Sequence, residues 1–229
     1  MMKNDFEKFA MSNGIGSLRL DQYNKALANK IIGGYLSPTI LEERELNVVG
    51  YDVFSRLMVD KIIFLGTEIT EDTANVINSQ LMYLNSIDDG SDIKIFINTP
   101  GGSIVDGLSI YDIMQFVKPD IATYCMGMCA SMGSVLLSSG TKGKRFILPH
   151  GEVMLHQAAG GSYGKNVDIQ IAAKHIQRLQ DSTYKILAGN TGKTVEEIEK
   201  ACNNGDNWFT AEEAKDFGLV DNIITKQES

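Results

Sequence analysis

The sequence predicts an α/β protein built on a largely parallel sheet. Three short apolar runs, at residues 61–65, 93–98 and 121–126, read as buried strands, and the segments between them carry apolar residues at helical spacing. Strands that alternate with helices form βαβ units, whose crossovers make the strands parallel. Such sheets bind ligands beyond the carboxyl ends of their strands. The loops after 93–98 and after 121–126 are therefore the first places to look for a site.

The helices of the first half follow from periodicity and from the residues that end them. After the first strand, four apolar residues recur at helical spacing: Ala74, Ile77, Leu81 and Leu84. The next helix is expected over 103–117, before Pro119, because the residue that precedes a proline disfavours helical backbone. A third helix begins in SMGSVLLSSG and ends at Gly140. Two more short strands are expected at 145–149 and 152–155.

A long helix is predicted over residues 167–187. Its apolar positions follow the spacing of a heptad seam, at Ile169, Ala172, Ile176, Leu179, Thr183 and Ile186. Two interpretations stay open. The helix either packs on the core of its own chain, or it projects from the sheet and packs against another subunit.

Length and composition limit the class of protein. With 229 residues, of which 43% are hydrophobic and 22% charged, the chain is an ordinary globular protein of one domain or a tight two-part fold. A formal net charge of −8 argues against a nucleic-acid partner. No apolar run approaches the ~18 residues that span a bilayer, so we expect no membrane partner. The three cysteines lack metal-ligand spacing and fit a reducing, cytoplasmic compartment, so we expect no metal site.

The segment GNTGKT at 189–194 resembles a phosphate-binding loop but lacks its first glycine. That motif requires glycine at position 187, where the sequence has leucine, and it should follow a strand rather than a helix. We interpret Gly189 and Gly192 as residues that end the long helix, and Thr194 as the N-cap of the next one. The chain is therefore expected to bind no nucleotide cofactor.

Ser131 is the best candidate for a nucleophile. It lies in CASMG, where a strand gives way to a helix, and the motif differs from the GxSxG nucleophile elbow because Cys129 replaces the first glycine. Unpaired N–H groups at a helix N-terminus favour a developing anion. The alternative is that these small residues only let the helix approach the sheet.

A serine nucleophile needs a base and an acid that orients it. Of the three histidines, His156 follows the strand 152–155 directly, whereas His150 lies in a turn and His175 lies in the middle of the long helix. His156 is therefore the preferred base. The carboxylates that follow it are Asp168, Asp181, Asp206, Asp216 and Asp221. Asp206, in the loop NNGDNWF, is favoured over carboxylates on helices, but spacing alone does not decide among the five.

Three motifs together resemble the proteolytic subunit of the Clp protease. They are NTPGGS at 98–103, the run from GMCASMG to MLHQ at 127–157, and GLVD at 218–221, and the resemblance extends over most of the chain. It implies a crotonase-like spiral of βαβ units with a projecting handle helix. It also implies a serine endopeptidase that hydrolyses peptide bonds of unfolded proteins in ATP-dependent proteolysis.

The resemblance assigns roles to individual residues. It implies a catalytic triad of Ser131, His156 and Asp206, and an oxyanion hole formed by the backbone N–H groups of Gly102 and Met132. The loop ACNNGD that carries the acid is slightly longer than is usual in the family. At Gly102, the missing Cβ would let the backbone approach the substrate carbonyl closely.

The resemblance also implies partners. Subunits of this family form two stacked seven-membered rings around a chamber, a tetradecamer, and the 167–187 helix matches the handle that joins the rings. A hexameric AAA+ unfoldase docks on apolar pockets of the ring and uses the ATP, so this chain itself needs no cofactor. Four residues match pocket positions: Phe96, Phe116, Met126 and Leu148. Lys94 and Tyr124 depart from the family pattern there.

The expected domain organisation has three parts. Residues 1–34 form a propeptide or a flexible tail, residues 35–50 an axial loop, and residues 51–229 the proteolytic domain. Two other functions remain open. One is an acyl-CoA hydratase or isomerase on the same fold, which would not need Ser131 and His156. The other is a non-catalytic partner subunit whose triad is misaligned.

Overall fold

The computed structural model describes residues 30–32, 35–37, 39–44, 47–203 and 205–225. The chain divides into two compact units, residues 1–60 and 61–229. Of the expected propeptide 1–34, the structure describes only residues 30–32. Asn204, in the loop that leads to Asp206, also lies outside the described residues.

The described residues of the first unit form two antiparallel strand pairs and one helix. Strand β1 (Lys30–Ile32) pairs with β2 (Tyr35–Ser37), and β3 (Thr39–Arg44) pairs with β4 (Asn47–Asp52). The segment expected to form an axial loop thus contains a hairpin. Asp52 begins helix α1 (Val53–Val59), because its Oδ1 accepts the N–H of Ser55 at 3.0 Å.

The second unit is an α/β fold, as the sequence predicts. Its strands are β5 (Ile62–Leu65), β6 (Ile93–Thr99), β7 (Ile121–Ala130), β8 (Arg145–Ile147), β9 (Glu152–Leu155), β10 (Asn207–Phe209) and β11 (Asn222–Ile223). Its helices are α2 (Glu71–Ser86), α3 (Ile104–Phe116), α4 (Met132–Ser138), α5 (Asn166–Thr191), α6 (Val195–Cys202) and α7 (Ala211–Phe217). The strand order β10-β9-β7-β6-β5 is parallel except for the β9–β10 pair, and β8 adds β11.

Strand β7 changes its partner halfway along. Its first half pairs with β8, with Thr123 opposite Arg145, and its second half pairs with β9, with Met128 opposite Glu152. Gly127 lies between the two halves at φ +78°, a left-handed conformation that glycine adopts without strain. The carboxyl end of β7 therefore lies beside the end of β9, and the residues that follow both strands are brought together.

The core lies between the sheet and the helices that pack on it. Every residue of α4 is buried, and α2 contributes the apolar residues that its spacing predicts: Ala74, Ile77, Leu81 and Leu84. A site that follows β7 therefore rests on a helix that is held on all sides, which is the kind of support that precise geometry needs.

The structure tests two details of the expected helices. The long helix α5 runs through Gly189 to Thr191, and Gly192 alone ends it, at φ +76°. The interpretation of Gly189 as a residue that ends the helix is therefore wrong. Thr194 is the N-cap of α6 and forms a capping box with Glu197, so the N-cap prediction is confirmed.

In the described part of the chain, no helix combines the length and the apolar character that a bilayer span requires.

Candidate active site

Ser131 occupies a sharp turn between β7 and α4. Its backbone has φ +54° and ψ −123°, a conformation that is costly for a residue with a side chain and that is characteristic of functional sites. Its N–H donates to the Met154 carbonyl of β9 at 2.9 Å, which fixes the turn against the neighbouring strand. The hydroxyl of Ser131 therefore stands at the carboxyl edge of the sheet.

Small residues allow this turn to form. A Cβ at Gly133 would lie 2.5 Å from Thr99 Cγ2, so the position two residues after Ser131 has no room for a side chain. The first position of the elbow motif, Cys129, is fully buried, and its thiol contacts the Ile97 carbonyl at 3.5 Å. Burial in apolar surroundings raises the pKa of this thiol well above its usual range, as expected of a structural rather than a reactive cysteine.

The structure brings His156 and Asp206 to Ser131. His156 Nε2 lies 2.8 Å from Ser131 Oγ, and His156 Nδ1 lies 3.1 Å from Asp206 Oδ1. The pairing of β9 with β10 produces this arrangement: Leu155 is opposite Asn207, so the residue after one strand faces the residue before the other. Spacing alone left five candidate acids, and the fold places Asp206 at the imidazole.

The other histidines and acids lie elsewhere. His175 is exposed on α5 and contacts Arg178 at 3.0 Å, and His150 is exposed in a turn. Asp181 accepts a hydrogen bond from Gln177 on the same helix, and Asp221 pairs with Arg145.

The expected oxyanion hole consists of the backbone N–H groups of Met132 and Gly102. Met132 is the first residue of α4, where helical N–H groups lack intrahelical partners. Gly102 bridges to Ile69 in parallel fashion, but the bridge uses the Gly101 carbonyl and the Ser103 N–H, at 2.7 and 2.9 Å, and not the N–H of Gly102 itself. The N–H group of Gly102 therefore takes no part in the bridge to Ile69, and that of Met132 has no partner within α4.

The structure shows a further reason for glycine at position 102. A Cβ there would lie 2.2 Å from the Ile69 carbonyl oxygen, so the β-bridge to Ile69 leaves no room for a side chain. Gly101, which the sequence analysis did not single out, faces the nucleophile: its Cβ would lie 2.7 Å from Ser131 Cβ. The sequence signal that could have identified Gly101 is the pair of glycines, Gly101 and Gly102, shortly after a predicted strand.

A small cavity of about 30 Å³ adjoins the triad. Its lining combines six apolar residues with polar ones: Ile104, Met132, Val135, Leu155, Ala158 and Leu187 are apolar, and Ser134, Gln157, Thr183 and Tyr184 lie beside Ser131 and His156. The Ser134 hydroxyl donates to the Ser131 carbonyl and that of Thr183 to the Gln180 carbonyl. The cavity thus offers apolar surface together with the Tyr184 hydroxyl.

Of the residues expected in a docking pocket, Phe96 lies on an aromatic face of the sheet. Four aromatic rings of adjacent strands stack there with centroids 5.4, 4.6 and 4.9 Å apart: Phe64, Phe96, Tyr124 and Phe146. Lys94 lies on the same face as Phe96, two residues along β6. Met126 is half-buried, whereas Leu148 and Phe116 are 39% and 69% exposed.

Helix α5 is buried only in its last third. Its buried residues are Thr183, Tyr184 and Leu187. Of the heptad positions, Ile169 is 42% exposed and Ile176 is half-buried. The interpretation in which the helix packs on its own core thus applies only to its carboxyl-terminal part.

Within the described residues, no group of three or more His, Cys, Asp or Glu side chains is arranged to hold a metal ion.

Comparison with known proteins identifies the family. The Clp protease family model matches residues 44–227. The ATP-dependent Clp protease proteolytic subunit of Porphyromonas gingivalis is 51% identical over 224 residues, which cover 97% of this chain and 98% of that protein. Proteins of the same name from two strains of Bacteroides fragilis are 50% identical, over 97% of this chain and 99% of theirs, and 54% identical, over 85% and 93%. The chain therefore belongs to the Clp protease family, which makes it an enzyme of the protease class with the crotonase-like fold that its sequence predicts.

Proposed function

We propose that this chain is a serine endopeptidase subunit that cleaves unfolded proteins through a triad of Ser131, His156 and Asp206. One observation carries the proposal: His156 lies within hydrogen-bonding distance of both other residues, at 2.8 Å from Ser131 Oγ and 3.1 Å from Asp206 Oδ1. Nucleophile, base and orienting acid thus form one continuous chain of contacts, which is the geometric criterion for such a site.

The chemical steps follow from this geometry. Ser131 Oγ attacks the carbonyl carbon of the substrate while His156 Nε2 takes the hydroxyl proton, and Asp206 stabilises the resulting imidazolium. The negative charge on the carbonyl oxygen is met by the N–H groups of Gly102 and Met132, each worth about 2.7–4 kcal/mol if it acts like other oxyanion donors. His156 then gives its proton to the leaving amine, which departs and leaves an acyl-enzyme. Water hydrolyses the acyl-enzyme by the same exchange of protons.

The substrate side chain that precedes the cleaved bond would enter the cavity beside Ser131. Because apolar side chains such as Ile104, Val135 and Leu187 line it, we propose that this subsite prefers apolar residues. The substrates would be unfolded chains, since the site needs an extended backbone that passes along the edge of the sheet.

We also propose the assembly and the partners that the family implies. The exposed part of α5 would join two stacked seven-membered rings, because a helix with unburied apolar positions gains most by packing on another. An AAA+ unfoldase would dock on the surface of Phe96, Phe116, Met126 and Leu148 and would use the ATP in the cytoplasm, while this chain uses no cofactor. Residues 1–34 would be a propeptide and 35–50 an axial loop.

A fluorophosphonate probe tests the chemistry directly. The purified protein should be labelled on Ser131, should hydrolyse a short fluorogenic peptide, and should lose both properties in His156→Ala. A hydratase on this fold, or a subunit with an inactive triad, would resist the probe. Labelling of a different serine would also contradict the proposal.

A further inference from the structure

The main chain that carries His156 leaves the sheet directly before that residue. Strand β9 ends at Leu155, and residues 156–163 belong to no helix or strand. The ladder bonds that fix β9 therefore do not extend to the imidazole. Some other contact has to hold the segment if Nε2 is to stay 2.8 Å from Ser131 Oγ.

A side chain of α5 provides that contact. The Oε1 atom of Gln180 accepts a hydrogen bond from the main-chain N–H of Ala158 at 3.0 Å. Ala158 is two residues after His156 and lines the same cavity. The segment stays against the helix beyond this point, since a Cβ at Gly160 would lie 2.9 Å from Ile176 Cδ1. This hydrogen bond thus holds the His156 segment against α5 beyond Leu155, where the strand pairing of β9 has ended.

A second bond holds the same segment from another side, but in a more exposed place. Gln157 Nε2 donates to Asn203 Oδ1 at 2.5 Å, in the loop that leads to Asp206. Both of these side chains are exposed, so water can replace either partner at small cost. Gln180 is half-buried, and its loss would leave the Ala158 N–H with a poorer substitute.

We propose that Gln180 is a positioning residue for hydrolysis, which acts by holding the His156 segment at the distance that proton transfer from Ser131 requires. It touches neither substrate nor reacting atoms, and its effect passes through the Ala158 main chain. The inference rests on the proposed function, in which His156 is the general base. Displacement of a base by a fraction of an ångström weakens the chemical step more than the binding of substrate.

Two substitutions separate the hydrogen bond from the shape of the side chain. Gln180→Met keeps length and helix propensity but removes the acceptor. Gln180→Glu keeps an acceptor oxygen at the same distance along the side chain. For a short fluorogenic peptide, we expect Gln180→Met to lower kcat about three- to tenfold, the range of one ordinary hydrogen bond, with little change in KM. Gln180→Glu should retain most of the activity.

Gln177→Met is the matched control. It is the same change one turn earlier on α5, at an exposed residue whose amide bonds to Asp181 rather than to the His156 segment. It should leave kcat unchanged, and native mass should show the same assembly for all variants. Wild-type kcat in Gln180→Met would overturn the proposal, as would equal losses in the Met and Glu variants. If the wild-type protein fails to react with the fluorophosphonate probe, the proposed function itself is overturned, and this inference with it.

Discussion

The Asp221 carboxylate accepts three hydrogen bonds from Arg145, and these link β8 to the start of β11. Arg145 Nε and the Arg145 main-chain N–H both donate to Asp221 Oδ2, at 2.9 and 3.0 Å, and Nη2 donates to Oδ1 at 2.6 Å. The side chains are only 3% and 14% exposed. Burial alone would raise the pKa of the Asp221 carboxyl, but the hydrogen bonds and charge of Arg145 outweigh it and hold that pKa below its usual value.

The first prediction concerns stability. Asp221→Asn should lower the free energy of unfolding at pH 7 by about 3–5 kcal/mol, because it leaves a buried guanidinium without its counter-charge. The folded-state pKa of Asp221 is below the unfolded value of about 3.9, so the stabilisation is complete above that value and is lost as the pH falls through the folded pKa. Urea unfolding at a fixed protein concentration should therefore show that the free energies of unfolding of the wild type and of Asp221→Asn become similar as the pH falls.

Asp120→Asn is the control for this prediction. That carboxylate also pairs with a cation, Lys144, but it is 52% exposed, so its loss should change stability by less than about 1 kcal/mol. If both variants lose the same free energy of unfolding, burial of the Arg145–Asp221 pair is not the cause of its contribution to stability.

The second prediction concerns the acid of the triad. Asp206→Asn should lower kcat for peptide hydrolysis by about 10⁴, because an amide would favour the wrong imidazole tautomer. Ser131→Ala should abolish hydrolysis and labelling while the number of subunits in the assembly stays the same. Asp181→Asn, a change of the same kind on α5, should leave turnover intact. Near-normal turnover in Asp206→Asn would assign the orienting role to another residue.

The third prediction concerns the loop beside the nucleophile. Gly101→Ala should lower kcat by at least about 10²-fold, the cost of one misplaced oxyanion donor. Its new Cβ would meet Ser131 Cβ at 2.7 Å, and its φ of +93° would be strained. Gly90→Ala has similar strain, at φ +84°, but nothing within 4 Å of the new atom. If both variants lose activity equally, backbone strain rather than the contact with Ser131 is responsible.

The fourth prediction concerns assembly. Ile176→Asp places a charge in the heptad seam of α5 and should yield single rings or smaller species with little peptidase activity. Native mass spectrometry measures the particle, and His175→Asp, at the exposed neighbouring position, should leave it unchanged. If Ile176→Asp forms a full-sized, active particle, the heptad seam packs only within its own chain and does not join the rings.

The fifth prediction concerns the N-terminus. If residues 1–34 are a propeptide that the assembled enzyme removes, purified wild-type protein should begin near Tyr35, whereas Ser131→Ala should keep the full sequence. Gly33 and Gly34 precede the expected cleavage site, and glycine, which has no Cβ, can adopt the extended form that a protease cleft requires. Intact mass of both proteins decides the question. A wild-type protein that still begins at Met1 or Met2 would show a permanent tail instead.

The elements that could be predicted are those with strong local signals. The strands β5 to β9 and helices α2 to α6 lie in apolar runs, in periodic segments or behind a capping pattern. Strand β10 and helix α7 were not predicted, because β10 contains only one apolar pair and four of the seven residues of α7 are charged. Their positions depend on partners distant in sequence: Phe209 of β10 is opposite Val153 of β9.

Only some residues of the site could be predicted from the sequence. Ser131 and His156 could be inferred because each follows a predicted strand, but proximity required the partner change of β7 at Gly127. Asp206 needed the family resemblance, since its loop carries no periodic signal. Gln180 could not be predicted at all, because its contact with Ala158 joins an ordinary helical position to a segment without regular structure.

The pairing of β10 with β9 places Trp208 where its intrinsic fluorescence can report on the site. Trp208 is the only tryptophan of the chain, lies two residues after Asp206, and is opposite Met154, whose carbonyl holds the N–H of Ser131. Its indole is 45% exposed, so its emission wavelength responds to changes in local hydration. Opening of this strand pair, association of another copy over it, or occupation of the neighbouring cleft can thus be followed by intrinsic fluorescence, without a label and without turnover.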